Sequence, residues 1–320
     1  MSTLNPTAQI DLDFPAFIAK REGESRRHFD GHVTDYCFSL DQKMRQRLAA
    51  IKPLELAAKA FLSVGLAIQK QIMSMKGVAV GPKQFPKIYG IAQDCAERLG
   101  IGIPQVFILY NPTMNAYTLA TEESGDMLVL HSSLVEVMTD DELRFVIGHE
   151  CGHIHNLHSV YNSLGQILSN VALLEIARTI PGGSLLFNLI KGGVSVFLSS
   201  WFRCAESTSD RAGLICCGDL DVARYALAKL ATGGGDVLKN INIDEYVKQL
   251  ESNQATPLRL YEASLDHPIV SKRIEMLRIF RQCDVLFKWR PEMRGDKPAL
   301  SKTAVDLQCE QIARVFLKGN

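Results

Sequence analysis

The sequence predicts an α+β protein, predominantly helical, with one small three- to four-stranded sheet. Three observations lead there. Apolar residues recur at three- and four-residue steps through most of the 320 residues, the period of amphipathic helices. One cluster of short strand-like runs lies between Pro104 and His131, bounded by turn residues. A strongly signalled helix start follows at Thr139. An apolar fraction of 47% and a charged fraction of 22% are ordinary for a globular chain. The length allows a large domain with an extension.

In chain order, residues 1–80 read as an N-terminal helical extension without chemical motifs. Apolar steps from Leu40 to Met75 support it. Gly77 to Pro86 holds two glycines and two prolines and reads as a linker. A main domain over 81–285 and a C-terminal helical tail over 286–320 complete the division. Within the main domain, Ile88 to Leu99 is a helix that Gly100 caps. Pro104–Tyr110, Asn115–Ala120 and Met127–His131 are the strands, separated by Asn111-Pro112 and by the turn from Glu123 to Asp126. Thr139 and Glu142 form a capping box, so a helix starts there and runs to at least Leu157. More helices follow, with breaks at Pro181, Gly192 and Gly233–Gly235.

Charge and composition exclude some functions. Thirty-five basic and thirty-five acidic residues cancel, so no strong field favours nucleic acid or an anionic membrane. Met1 to Asp13 has no basic stretch leading into an apolar one, so no signal peptide is expected. Eight cysteines without a CxxC framework fit a reducing compartment, and the expected location is cytoplasmic. No uninterrupted apolar run reaches the roughly 18 residues of a transmembrane span. Leu54–Met75 and Val171–Phe202 come near but are broken by charged residues, glycines and a proline. They read as buried helices. The alternative is a helix lying on a membrane as a peripheral contact, or one covering a substrate groove.

The chemistry concentrates in Val146–Asn156, VIGHECGHIHN. His149 and His153 are four residues apart, so both imidazoles lie on one helix face and can meet one zinc ion at about 2.0–2.1 Å. Glu150 follows the first ligand and sits beside the metal, free to act as the base that takes a proton from water. A catalytic zinc needs a third protein ligand and an open position. On a continuing helix, His155 and His158 would point about 240° and 180° away from His149, so the third ligand is sought elsewhere. Glu206 and Asp210 share a face of a later helix. Either Glu206 ligates zinc while Asp210 holds the spare N–H of a ligating histidine, or both belong to a solvated acidic face beside Arg203 and Arg211. Cys151 reads as packing.

Taken together these residues resemble the M48 zinc metallopeptidases, the gluzincin group of the Ste24, HtpX and Oma1 proteases. The resemblance runs from about Phe85 to Phe280. It rests on Asn115-Ala116-Tyr117, Asp140-Asp141-Glu142-Leu143, the HECGHIHN segment, Glu206 with Asp210, Arg211 and Ala212, then Asp266-His267-Pro268 and Lys272-Arg273-Ile274. It implies a zincin-like catalytic domain with one Zn2+ per chain held by His149, His153 and Glu206. Asp210 would support a ligand, and Arg273 would pair with a carboxylate of the site, with Asp210 as the expected partner. Glu150 would be catalytic. His267 would stabilise the tetrahedral intermediate, plug the open coordination position, or serve only as a loop residue. Asn115, Ala116 and Tyr117 would offer a strand edge to an extended peptide. The expected activity is zinc-dependent endopeptidase hydrolysis of protein or peptide substrates. A chaperone-like, zinc-containing peptide-binding module is the competing expectation. Intact Glu150 argues against it, because a pure binder has no use for that base.

Overall fold

The structure, a computed structural model, describes residues 29–30, 33–49, 71–119, 126–158, 195–235, 241–252 and 269–313. His267, most of Val171–Phe202 and most of Leu54–Met75 lie outside them. The described chain begins with a two-stranded antiparallel pair, β1 (Phe29–Asp30) and β2 (Val33–Thr34). Helix α1 (Ser39–Ala49) follows. Then come β3 (Val78–Ala79), α2 (Pro86–Leu99), β4 (Gln105–Leu109), β5 (Ala116–Leu119) and β6 (Met127–His131). Helices α3 (Ser132–Val137) and α4 (Asp140–His155) lead to α5 (Ser195–Cys217), α6 (Leu220–Thr232) and α7 (Ile243–Ser252). Helices α8 (Val270–Phe280), α9 (Asp284–Trp289) and α10 (Lys302–Ala313) complete it, with a 3-10 turn at Pro291–Met293.

The expected α+β fold, mostly helical around a small sheet, is what is found. The sheet order is β3-β4-β6-β5. Strands β4 and β6 pair in parallel, and β3 and β5 pair antiparallel at the two edges. Strand β6 is buried at every position, as expected of a central strand covered on both faces. The fourth strand falls in Gly77–Pro86, which the sequence suggested was a linker. Its two residues are exposed and carry no alternation, so periodicity gave no signal there.

Helix α4 forms where its start signal lies. The Thr139 hydroxyl accepts the Glu142 N–H, and the Glu142 carboxylate accepts the Thr139 N–H at 2.7 Å. Lys229 on α6 donates to the same carboxylate at 2.7 Å, anchoring this buried end. The other end comes earlier than expected. The helix stops at His155, and Leu157 takes a left-handed φ of 58°. The His158 N–H bonds back to the His153 carbonyl and the Leu157 N–H to the Ile154 carbonyl. This is the Schellman closure, built here on leucine where glycine is usual. The left-handed backbone costs roughly 1–2 kcal/mol at a non-glycine residue.

Candidate metal centre

Two glycines one turn apart bring α4 and α5 together. A Cβ added at Gly148 would lie 2.5 Å from Cys216 Cβ, and one at Gly152 would lie 2.6 Å from Ala212 Cβ. Any side chain there would hold the helices apart. Because the backbones approach so closely, acidic side chains on α5 reach the histidines on α4. Cys151 is fully buried beside this seam, in keeping with a packing role.

At that contact His149, His153 and Glu206 converge, all buried. His149 Nε2 lies 3.1 Å from His153 Nε2. Glu206 places one carboxylate oxygen 3.5 Å from His149 Nε2 and the other 3.2 Å from His153 Nε2. A tetrahedral cation bound at ~2.0–2.1 Å spaces its ligand atoms about 3.3–3.4 Å apart, so the donor set fits one metal ion. Its chemistry, two imidazoles and one carboxylate, suits zinc. Glu150 is buried on the same helix.

Asp210 lies one turn along α5 from Glu206. Its Oδ1 is 2.9 Å from His149 Nδ1. A carboxylate only accepts, so Nδ1 carries the proton and Nε2 presents its lone pair inward. Arg273 on α8 grips Asp210 with two parallel bonds, Nε to Oδ2 at 2.8 Å and Nη2 to Oδ1 at 2.6 Å. The same guanidinium lies 3.3 Å from Glu206 Oε2. Burial on its own raises the Asp210 pKa, but Arg273 and His149 outweigh it and hold the carboxyl below its ordinary range. Burial likewise opposes the charge on Arg273, and Asp210 with Glu206 more than restores it.

The sequence missed the far side of His153. A continuing helix would carry His158 half a turn away from His149. The helix ends first, and the Leu157 turn swings His158 back until its Nδ1 is 3.1 Å from His153 Nδ1. His158 Nε2 lies 2.9 Å from Asp41 Oδ2. Asp41 sits on α1, in the segment expected to lack chemistry. It also accepts from the Trp201 indole at 2.9 Å and the Thr208 hydroxyl at 2.6 Å. All four side chains are buried. Burial raises the Asp41 pKa, but His158 and Thr208 hold it well below the carboxylate range. Burial depresses the His158 pKa against the pull of Asp41. No sequence signal marks Asp41, since 117 residues separate it from its partner.

Other candidates fall elsewhere. Arg211, adjacent to Asp210, turns away from the site and pairs with Asp306 on α10 at 2.8 Å. His155 accepts or donates to the Tyr36 hydroxyl at 2.8 Å. Asn115 ends just before β5, and its carbonyl accepts the His131 N–H. Ala116 and Tyr117 begin β5, an edge strand that packs on α4 and pairs with β6 alone among the described residues. The Tyr117 ring meets His131 edge-on at 5.9 Å.

The sequence model of peptidase family M48 matches residues 82–280. A plastoglobule-localized metallopeptidase 48, chloroplastic, from Arabidopsis thaliana is 30% identical over 252 residues, covering 75% of this chain and 70% of that protein. Protease HtpX from Xylella fastidiosa is 26% identical over 208 residues, covering 58% of this chain and 70% of that protein. The crystal structure of S. mikatae Ste24p gives a TM-score of 0.45 at 18% identity, covering 74% of this chain and 61% of that one.

Proposed function

This chain belongs to peptidase family M48 and is a metallopeptidase acting on protein substrates, and we propose that it is a zinc-dependent endopeptidase with Glu150 as its general base. The observation that carries this is the convergence of His149 Nε2, His153 Nε2 and the Glu206 carboxylate within 3.1–3.5 Å. His149, His153 and Glu206 would hold the zinc, which would supply Lewis-acid polarisation of the scissile carbonyl and lower the pKa of a water.

The chain's own residues do the rest. Glu150 takes the proton of the attacking water and returns it to the leaving amine. Asp210 keeps His149 in the tautomer that offers Nε2. Arg273 lies against both Glu206 and Asp210, and its single positive charge offsets part of their mutual repulsion. Strand β5, with Ala116 and Tyr117 at its start and Asn115 just before it, adds the extended substrate as a further strand through backbone hydrogen bonds. His267 is kept as a candidate for stabilising the developing oxyanion. A cytoplasmic location is part of the same proposal. Among the described residues no helix is long and apolar enough to cross a membrane, and all eight cysteines are free thiols, as a reducing compartment favours.

The test is casein cleavage by the parent and by Glu150→Gln, with and without chelator, alongside zinc content by elemental analysis. The variant keeps zinc and loses about 10²–10⁴-fold in rate. Cleavage at the parent rate would remove Glu150 from the mechanism.

A further inference from the structure

We propose that Asp41 and His158 are positioning residues of the metal centre: Asp41 on α1 fixes the tautomer of His158, and His158 fixes that of His153, so that His153 meets the metal through the lone pair on Nε2. The inference rests on the zinc ligands proposed above.

With His153 bound to the metal through Nε2, as proposed above, the hydrogen bonds leave one consistent assignment. The Trp201 indole reaches Asp41 Oδ1 at 2.9 Å, and the Thr208 hydroxyl and His158 Nε2 reach Oδ2 at 2.6 and 2.9 Å. A carboxylate has no proton to give, so His158 Nε2 carries the hydrogen. The opposite nitrogen, Nδ1, faces His153 Nδ1 at 3.1 Å, and one of the two must donate. If His158 donated there too, it would be a buried cation. His153 would then hold its own proton on Nε2, aimed at His149 Nε2 only 3.1 Å away and unable to bind metal. With His158 neutral, His153 Nδ1–H donates and Nε2 is free. Asp41 and His158 thus do for His153 what Asp210 does directly for His149.

The geometry that allows this is specific to the fold. Leu157 in its left-handed turn reverses the chain after α4, and the His158 N–H closes on the His153 carbonyl at 2.9 Å. Helix α1 is tied to the same corner. The Thr34 hydroxyl donates to the Asn156 side chain at 2.6 Å, and the Asn156 amide donates to the Tyr36 hydroxyl at 3.1 Å. The segment 33–49 lies outside the stretch matched by the family, residues 82–280. It nonetheless supplies the outermost part of the metal site.

The experiment measures zinc dissociation constants for the full chain by competition with a chromophoric chelator. The proteins are the parent, Asp41→Asn, His158→Phe, His158→Gln and the double variant Asp41→Asn/His158→Phe, each first shown to be folded by circular dichroism. A parent that binds no zinc would overturn the ligand assignment itself, and this inference with it. With zinc bound by the parent, Asp41→Asn and His158→Phe each weaken it about 10–100-fold. The double variant is no weaker than the worse single one, because Asp41 acts through His158. His158→Gln recovers most of the loss, since its amide oxygen can accept from His153 Nδ1–H. Parent-like affinity in the two single variants, or additive losses in the double, would overturn the proposal. Should the variants fail to fold, long-range proton–nitrogen NMR on the zinc-loaded parent decides. His158 protonated at Nε2 and His153 at Nδ1 is the expected result, and a proton on His158 Nδ1 the contrary one.

Discussion

His149 and His153 sit one turn apart on α4 and face the same point, yet they are held by different chemistry from different parts of the chain. Behind His149 stands an ionic arm, Asp210 clamped by Arg273 on α8. Behind His153 stands an imidazole, His158, and only then a carboxylate, Asp41 on α1. The first arm lies within the stretch matched by the family and the second reaches back to residue 41. A carboxylate with its own guanidinium is a buried charge pair. Loss of either partner is costly, because it removes two short bonds from a dry site and leaves Arg273 only the Glu206 carboxylate at 3.3 Å. The second arm carries its charge one step further from the metal, cushioned by four donors: the Trp201 indole, the Thr208 hydroxyl, the His158 imidazole and the Cys37 thiol. The difference teaches that equal ligands need not be equally vulnerable.

The largest expected effect separates the arms by charge. Asp210→Ala leaves Arg273 only its longer contact with Glu206, and up to about 3–5 kcal/mol of stability is lost, together with zinc affinity. Denaturant unfolding checks this. A loss below that of a typical surface substitution would show that the ionic arm is dispensable. Next in size is a substitution at the seam that serves both arms. Gly152→Val pushes α5 away from α4, costs about 1–3 kcal/mol by overpacking and lowers zinc content, because Glu206 and Asp210 retreat together. Full zinc occupancy by elemental analysis would contradict the close approach at Gly152.

The smallest effect compares the two carboxylates by pH. Both Asp210 and Asp41 titrate below their ordinary 3.8 in the folded chain. Their contributions are therefore complete above that value and are lost as pH falls toward the lower folded values. With metal removed by chelator, thermal stability should fall most steeply below about pH 4. A chain that gained stability between pH 4 and 2 would reverse the sign assigned to both arms.

Most of the ionic arm was legible in the sequence because its parts obey local rules, while Arg273 was reached only through the family resemblance. His149 and His153, and Glu206 and Asp210, are pairs at four-residue spacing, and Thr139 with Glu142 marks where the helix begins. The second arm was not legible. Finding His158 required knowing that α4 ends at His155 and that Leu157, not a glycine, adopts a left-handed turn. Asp41 has neither motif nor spacing, and only tertiary packing brings α1 to the site. The fourth strand was hidden for a related reason. Val78 and Ala79 are both exposed, and a two-residue edge strand leaves no alternation to read. The three longer strands, the helix before them and its Gly100 cap all carried clear signals.

The central claim is that a single zinc ion is held by His149, His153 and Glu206. Anomalous scattering at the zinc edge from crystals of the full chain tests it most directly. One peak between the two Nε2 atoms and the Glu206 carboxylate is expected. A zinc-loaded crystal whose peak lies elsewhere, with Glu206 bound to no metal, would contradict it.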